Sequence, residues 1–249
     1  MTALALPTRK DEAYRYADLD ALGRVWADLA QAREIVVPAG EAHSHVLLAA
    51  NEAVEVHRAR LVIQPGASLD LFALNGAAEY GRIEMDVEVR EGARFTLNAA
   101  NIAGGKATQE IVTHVRHTEP NGTSNQTVRS VLGGTATGSY LGKVAVARQA
   151  QKVDGEQSVK AMLLDRGATA NCKPELEIYA DDVKCAHGAT VGELDPTQLF
   201  YAMSRGLPPA EAKALLLEGF VLQLWDDAPE DRRDELVEAS RALLRRVAA

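Results

Sequence analysis

The sequence predicts a mainly β chain with helical ends, and three observations carry that reading. From about residue 34 to 194, short runs alternate apolar and polar residues as half-buried strands do. Turn residues separate these runs, and no convincing helical period interrupts them. From residue 195 onward the character changes to helical periods, each opened by proline.

The first segment, 1–33, carries Tyr14, Leu22, Trp26 and Leu29 at near-helical spacing among charged residues. It is too short to bury a core alone and should dock on the central strands. The clearest strand of the central segment, 34–194, lies at 82–90. There Ile83, Met85, Val87 and Val89 point one way, and Arg82, Glu84, Asp86, Glu88 and Arg90 the other. SLDLFAL, RFTLNAA, EIVTHVRH, KVAVA, SVKAMLL and ELEIYADDV read as further strands. Their corners echo one another. QPGASLDL and REGARFTL place Gly66 and Gly92 26 residues apart, while DRGATANC and AHGATVGE place Gly167 and Gly188 21 apart. A Gly-Ala corner returning at such spacings fits one coil of a β-solenoid. A sandwich also presents many short strands, so both architectures stay open.

The last segment, 195–249, is punctuated clearly. Asp195 caps a first helix, with Pro196 at its first position and Gly206 beyond its end. Pro208-Pro209 opens a second helix carrying Leu215, Leu216, Leu217, Phe220, Val221, Leu224 and Trp225. That is more apolar surface than a small terminal lobe needs, so it serves either core packing or docking of another protein. Pro229 opens a third helix with Glu230 and Asp231 in its first turn. Arg241, Arg245 and Arg246 near its end match the helix dipole.

Composition removes several function classes. Of 249 residues, 47% are hydrophobic and only 5% aromatic, so the core must rest on Val, Ile, Leu and Ala. A formal charge of −8 without a basic cluster argues against nucleic acid or an anionic membrane surface as the main partner. No apolar run approaches the ~20 residues of a membrane span, and MTALALPTRKDEAYRY lacks the pattern of an export signal. A cytoplasmic location is expected, with Cys172 and Cys185 as free thiols or metal ligands rather than a disulfide. GGK at 104–106 and GK at 142–143 resemble phosphate-loop fragments, but Ala100 and Thr137 stand where the first glycine is required. The chain is not expected to hydrolyse ATP by itself.

The candidate chemistry centres on DDVKCAHGATVGELD. On an extended strand Cys185 and His187 point to the same face, which suits iron or zinc. Two ligands do not complete such a site, so others must come from Cys172, a carboxylate or another chain. A Cys–His nucleophile would need hydrogen-bond contact, whereas i and i+2 side chains stand about 7 Å apart. Plain packing is the third reading. His43, His45 and His57 form a metal cluster only if the chain folds back between them. His114 and His117 face opposite sides of one strand, and adjacent Asp181 and Asp182 form no acid–base pair by local geometry.

The run KPELEIYADDVKCAHGATVGELD, together with LFYAMSRGLPPAEAKALLLEGF after it, resembles the SufB/SufD family of iron–sulfur cluster assembly proteins. The likeness is close over about 130–222, and PTRKDEAYRY resembles the family's N-terminal sequence. It implies a right-handed parallel β-helix flanked by N- and C-terminal helical parts. It also implies a non-enzymatic scaffold that pairs with a SufB-like paralogue through the β-helix end and docks a SufC-like ATPase near the C-terminal helices. Leu215, Leu216, Phe220 and Leu224 are then the docking candidates. His187 matches the family histidine implicated in building a nascent cluster with a cysteine of the paralogue. Cys185 matches the motif cysteine and carries less weight, and Cys172 matches no family ligand. A transient cluster, or iron and sulfide, would be held only in the complex, with none bound permanently by the isolated chain. A homodimer through the same edge is expected when the paralogue is absent. The chain is short for the family, and its length and CAHGAT run favour the SufD branch over the SufB branch. A β-solenoid thiol enzyme using Cys185 and His187, and an adaptor in which both only pack, are the rival readings.

Overall fold

The alternating runs form strands of two parallel sheets, in a computed structural model that describes residues 5–29 and 32–248. Residues 1–4, 30, 31 and 249, which belong to the expected terminal segments, lie outside the described residues. Odd-numbered strands build one sheet: β1 (Arg33–Val37), β3 (Val54–Ile63), β5 (Tyr80–Val89), β7 (Thr108–His117), β9 (Thr137–Val146) and β11 (Thr169–Ile178). Even-numbered strands build the other: β2 (Ala42–Ala49), β4 (Ser68–Asn75), β6 (Arg94–Ala103), β8 (Thr123–Leu132), β10 (Asp154–Leu163) and β12 (Lys184–Glu193). A chain that crosses at every step between two parallel sheets must coil. The result is a β-solenoid of about six turns. Parallel pairing throughout excludes the antiparallel sandwich.

The register shows which corner echo was a true coil. Ser68 pairs with Arg94, a step of 26 residues, as the Gly66 and Gly92 corners predict. Later coils lengthen: Arg94 pairs with Thr123 and Thr123 with Asp154. The Gly167–Gly188 echo is not a coil. Gly167 precedes β11, whereas Gly188 lies inside β12 and pairs with Ser158 of β10. The stretch ELEIYADDV also divides, because β11 ends at Ile178 and Asp181-Asp182 occupy the corner before β12.

One corner column explains the glycines. Gly66 and Gly92 take φ of 67° and 61°, which a β-carbon disfavours, and their N–H groups donate to the Glu91 and Pro120 carbonyls of the next coil. Asn121 and Lys152 continue the column at φ 61° and 59°, donating to Gln151 and Asp182. Gly40 opens the column at φ 73°, donating to the Pro65 carbonyl, so the same corner is built five times, twice without glycine.

Inside the coil, Val87, Val115 and Val144 stack in register, as do Leu71 and Leu97. His117 lies in this interior, fully buried, with Nε2 2.9 Å from Ser124 Oγ. Burial holds its pKa down at about 4. An unfolded histidine titrates near 6.5, so between about pH 6.5 and 4 the unfolded chain binds a proton that the folded chain refuses. Stability must therefore fall as pH drops through that window, by about 3 kcal/mol from this residue. Urea unfolding of wild type and His117→Gln at neutral pH and near pH 4 should show a smaller acid loss in the variant. An equal loss would remove His117 as its source.

Both flanks cover outer sheet faces. The N-terminal helix α1 (Leu19–Val25) is shorter than the expected helical segment and is capped by Asp18. Its Ala21 and Leu22 pack with Ala17 around Tyr80 of the odd-numbered sheet. At the other end α2 (Pro196–Ser204), α3 (Pro209–Leu222) and α4 (Glu230–Ala248) obey their proline signals, with Asp195 accepting from the Thr197 N–H. Leu217, Val221, Leu224, Trp225, Leu236, Leu243 and Leu244 close over Phe72, Leu74, Ala100, Ile102 and Val131 of the even-numbered sheet. No helix among the described residues is long and apolar enough to cross a membrane.

Candidate functional site

Cys185 and His187 sit on β12, the last strand of its sheet, which pairs with β10 on one side only. Cys185 stands in register with Gly155 and, one coil further in, with Ser124. Gly155 leaves room there: a β-carbon on it would lie 3.4 Å from Cys185 Sγ. The thiol is half-buried against the interior cluster.

His187 falls in the column of Gln157 and Gln126. Both glutamines are buried in the coil, whereas His187 is exposed because no further strand among the described residues covers it. Beneath it runs a polar chain. Gln157 Nε2 donates to the Tyr140 hydroxyl at 3.0 Å, Tyr140 donates to Gln126 Oε1 at 3.1 Å, and Thr113 donates to the same oxygen at 2.7 Å. The Gln157 carbonyl oxygen, in the coil beside His187, has no donor among the described residues. Sequence reading missed these side chains. Their signal is the register, which places Gln157 30 residues before His187, and that step emerges only once the coil length is known.

Cys172 lies on β11, the last strand of the opposite sheet, in the column of Tyr140. The uncovered end of the coil therefore carries both cysteines and His187. Among the described residues no three His, Cys, Asp or Glu side chains come together to hold a metal ion. Burial pushes both thiols above the ordinary range, and for Cys185 this outweighs a hydrogen bond from the Gly155 backbone.

The remaining histidines separate. His43 and His45 share β2 with ring centroids 6.2 Å apart, and His43 Nε2 lies 2.8 Å from Glu41 Oε2. His57 lies on the other sheet, against Glu55. His114 is half-exposed near Asp86, whereas His117 is buried. Gly104-Gly105-Lys106 forms a corner and Gly142-Lys143 lies within β9, so neither leads into a helix.

The C-terminal helices divide the four docking candidates. Leu215 and Leu216 line an apolar groove of about 510 Å³ with Tyr201, Ala202, Arg205 and Leu207. Leu215 is 56% exposed, and Phe200 and Tyr201 of α2 are more so. Phe220 is half-buried over Arg129. Leu224 requires correction: it is 3% exposed and packs on the even-numbered sheet, so it is not available to a partner. The helical period marked it as apolar but could not tell which face the sheet covers.

The fold and site define a parallel β-solenoid protein with helical flanks, whose candidate ligands lie at an uncovered end of the coil. Residues 29–220 match the family model described as SUF system FeS cluster assembly, SufBD core domain, and the chain belongs to that family. It is 32% identical over 160 residues to an iron–sulfur cluster assembly SufBD family protein of Synechocystis, covering 64% of this chain and 35% of that protein. It is 36% identical over 114 residues to the iron–sulfur cluster assembly protein SufD of Escherichia coli, covering 46% and 27%. Against SufD of Bacillus subtilis it is 30% identical over 128 residues, covering 51% and 29%. The matched part thus spans about a third or less of these relatives' lengths.

Proposed function

We propose that the chain is a SufD-like scaffold subunit, not an enzyme, that helps assemble iron–sulfur clusters in the cytoplasm. It shares a nascent-cluster site with a SufB-like paralogue and docks a SufC-like ATPase. The observation that carries this is the uncovered end of the coil. Cys185 and His187 stand there on an edge strand with open hydrogen-bonding groups, in a ligand set too small to hold a metal alone. A second chain pairing with β12 would satisfy the edge and bring the missing ligands together with these two. Iron and sulfide are then cargo. A neutral His187 imidazole is a suitable transient iron ligand. The apolar groove of α2 and α3, lined by Leu215 and Leu216, supports the ATPase-docking part of the reading. When the paralogue is absent, the same edge favours a homodimer.

The test is iron and acid-labile sulfide in the complex. The chain is co-expressed with its paralogue and ATPase partners, purified without oxygen, and compared with His187→Ala. The expected result is an intact complex in both, with iron and sulfide lost by about tenfold in the variant. Equal contents would mean that the motif only packs and that the chemistry belongs to the paralogue.

A further inference from the structure

We propose that Arg129, Lys160 and Thr190 form an oxyanion-binding strip on the outer face of the even-numbered sheet, beside α3. The three residues stand in register on β8, β10 and β12, so their backbones succeed one another at about 4.8 Å. Arg129 is only 8% exposed, and its guanidinium lies 5.6 Å from the Phe220 ring centroid. Its Nε and Nη1 are buried without an acceptor among the described residues. Burial lowers its pKa, the direction expected of a cation removed from water without a counter-charge.

Elsewhere this protein pairs its cross-strand arginines. Arg94 faces Asp70 at 2.8 Å, Arg116 faces Asp86 at 3.1 Å, and buried Arg82 faces Glu110 at 3.1 Å. Arg129 instead has Lys160 as its neighbour, a like charge that destabilises the pair unless an anion joins them. Neither residue enters an ion pair among the described residues. Glu218 of α3 is engaged with Arg241 at 3.0 Å. Glu156, on the same face of β10, lies four residues from Lys160, about 13 Å along a strand. The row beside the strip adds Thr127 and Ser158, also in register. A buried guanidinium fork, an exposed ammonium and hydroxyl donors are what a carboxylate or phosphate group requires. Phe220 lies beside the guanidinium, and Lys160 and Thr190 leave the strip open towards solvent.

The full chain is titrated with inorganic phosphate and, separately, with an oligoglutamate peptide. Ionic strength is kept physiological, where surface attraction is screened beyond about 8 Å. The readouts are the NMR shifts of the Thr190 amide and the Arg129 Nε–H. Saturation is expected, with affinity reduced about tenfold in Lys160→Gln, an exposed position that leaves the fold intact. Arg129→Gln should abolish saturation, and if that variant does not fold, Lys160→Gln decides. Saturation by phosphate alone assigns the site to a phosphate group, and saturation by the peptide alone assigns it to acidic side chains. Linear shifts with both probes, unchanged in Lys160→Gln, would overturn the proposal.

Discussion

Arg82→Ala is expected to lower stability by about 3–5 kcal/mol, because it leaves a buried carboxylate without its counter-charge. Arg82 and Glu110 are both fully buried, with Nη1 3.1 Å from Glu110 Oε2. Tyr80 donates to the same oxygen at 2.6 Å, and Arg82 also reaches Glu84, which accepts from the Tyr14 hydroxyl at 3.2 Å. The Tyr14 ring lies 4.1 Å from the Arg82 guanidinium carbon, so the network fastens the N-terminal segment to the odd-numbered sheet. Burial pushes the Glu110 carboxyl up against the downward pull of Arg82. Without Arg82 that pull is gone and the carboxyl rises further. The variant should then gain stability, relative to wild type, as pH falls through the raised pKa towards the ordinary carboxylate value. Denaturant unfolding across pH measures this. Arg82→Met combined with Glu110→Leu should cost far less than Arg82→Ala, since it removes both buried charges together. Equal losses in the two proteins would place the cost in packing rather than in charge.

The same network shows where sequence reading stops. Alternation in RIEMDVEV assigned Arg82 and Glu84 to the face away from the coil interior, which is correct. It did not reveal that α1 and its flanking turns cover part of that face, because covering is a long-range fact and alternation is local. The same limit applies to β8, whose TSNQTVRSVL places Ser124 and Gln126 inward and so breaks the apolar period. Proline and aspartate signals, by contrast, are chemical and local, and the starts of α2, α3 and α4 were legible from them. At the coil end, Cys185 and His187 were legible as a same-face pair. That the strand carrying them is the outermost one depends on where coiling stops, which no residue pattern states.

Trp225→Ala should cost about 3–5 kcal/mol and release the C-terminal helices while the solenoid stays folded. Trp225 is fully buried between the even-numbered sheet and α4, and its indole N–H donates to Ser240 Oγ at 3.0 Å. Truncation leaves a large cavity and an unpartnered hydroxyl in the same layer. A solenoid holds each coil chiefly through its neighbours, so the interior columns do not need this layer to remain paired. Hydrogen exchange should therefore show early opening of 209–248 with protection retained in β5 to β9. Trp225→Phe keeps most of the packing and should lose only the hydrogen bond, about 1 kcal/mol. The groove lined by Leu215 and Leu216 depends on the same layer for its position, because Leu217 and Val221 of the same helix are among its anchors. On the proposed docking of an ATPase at this groove, its capture should fail in Trp225→Ala and survive in Trp225→Phe, while strand protection near Cys185 and His187 is unchanged. Loss of protection throughout the coil would instead mean that helices and solenoid unfold as one unit, and that the groove cannot be tested apart from the coil end carrying Cys185 and His187.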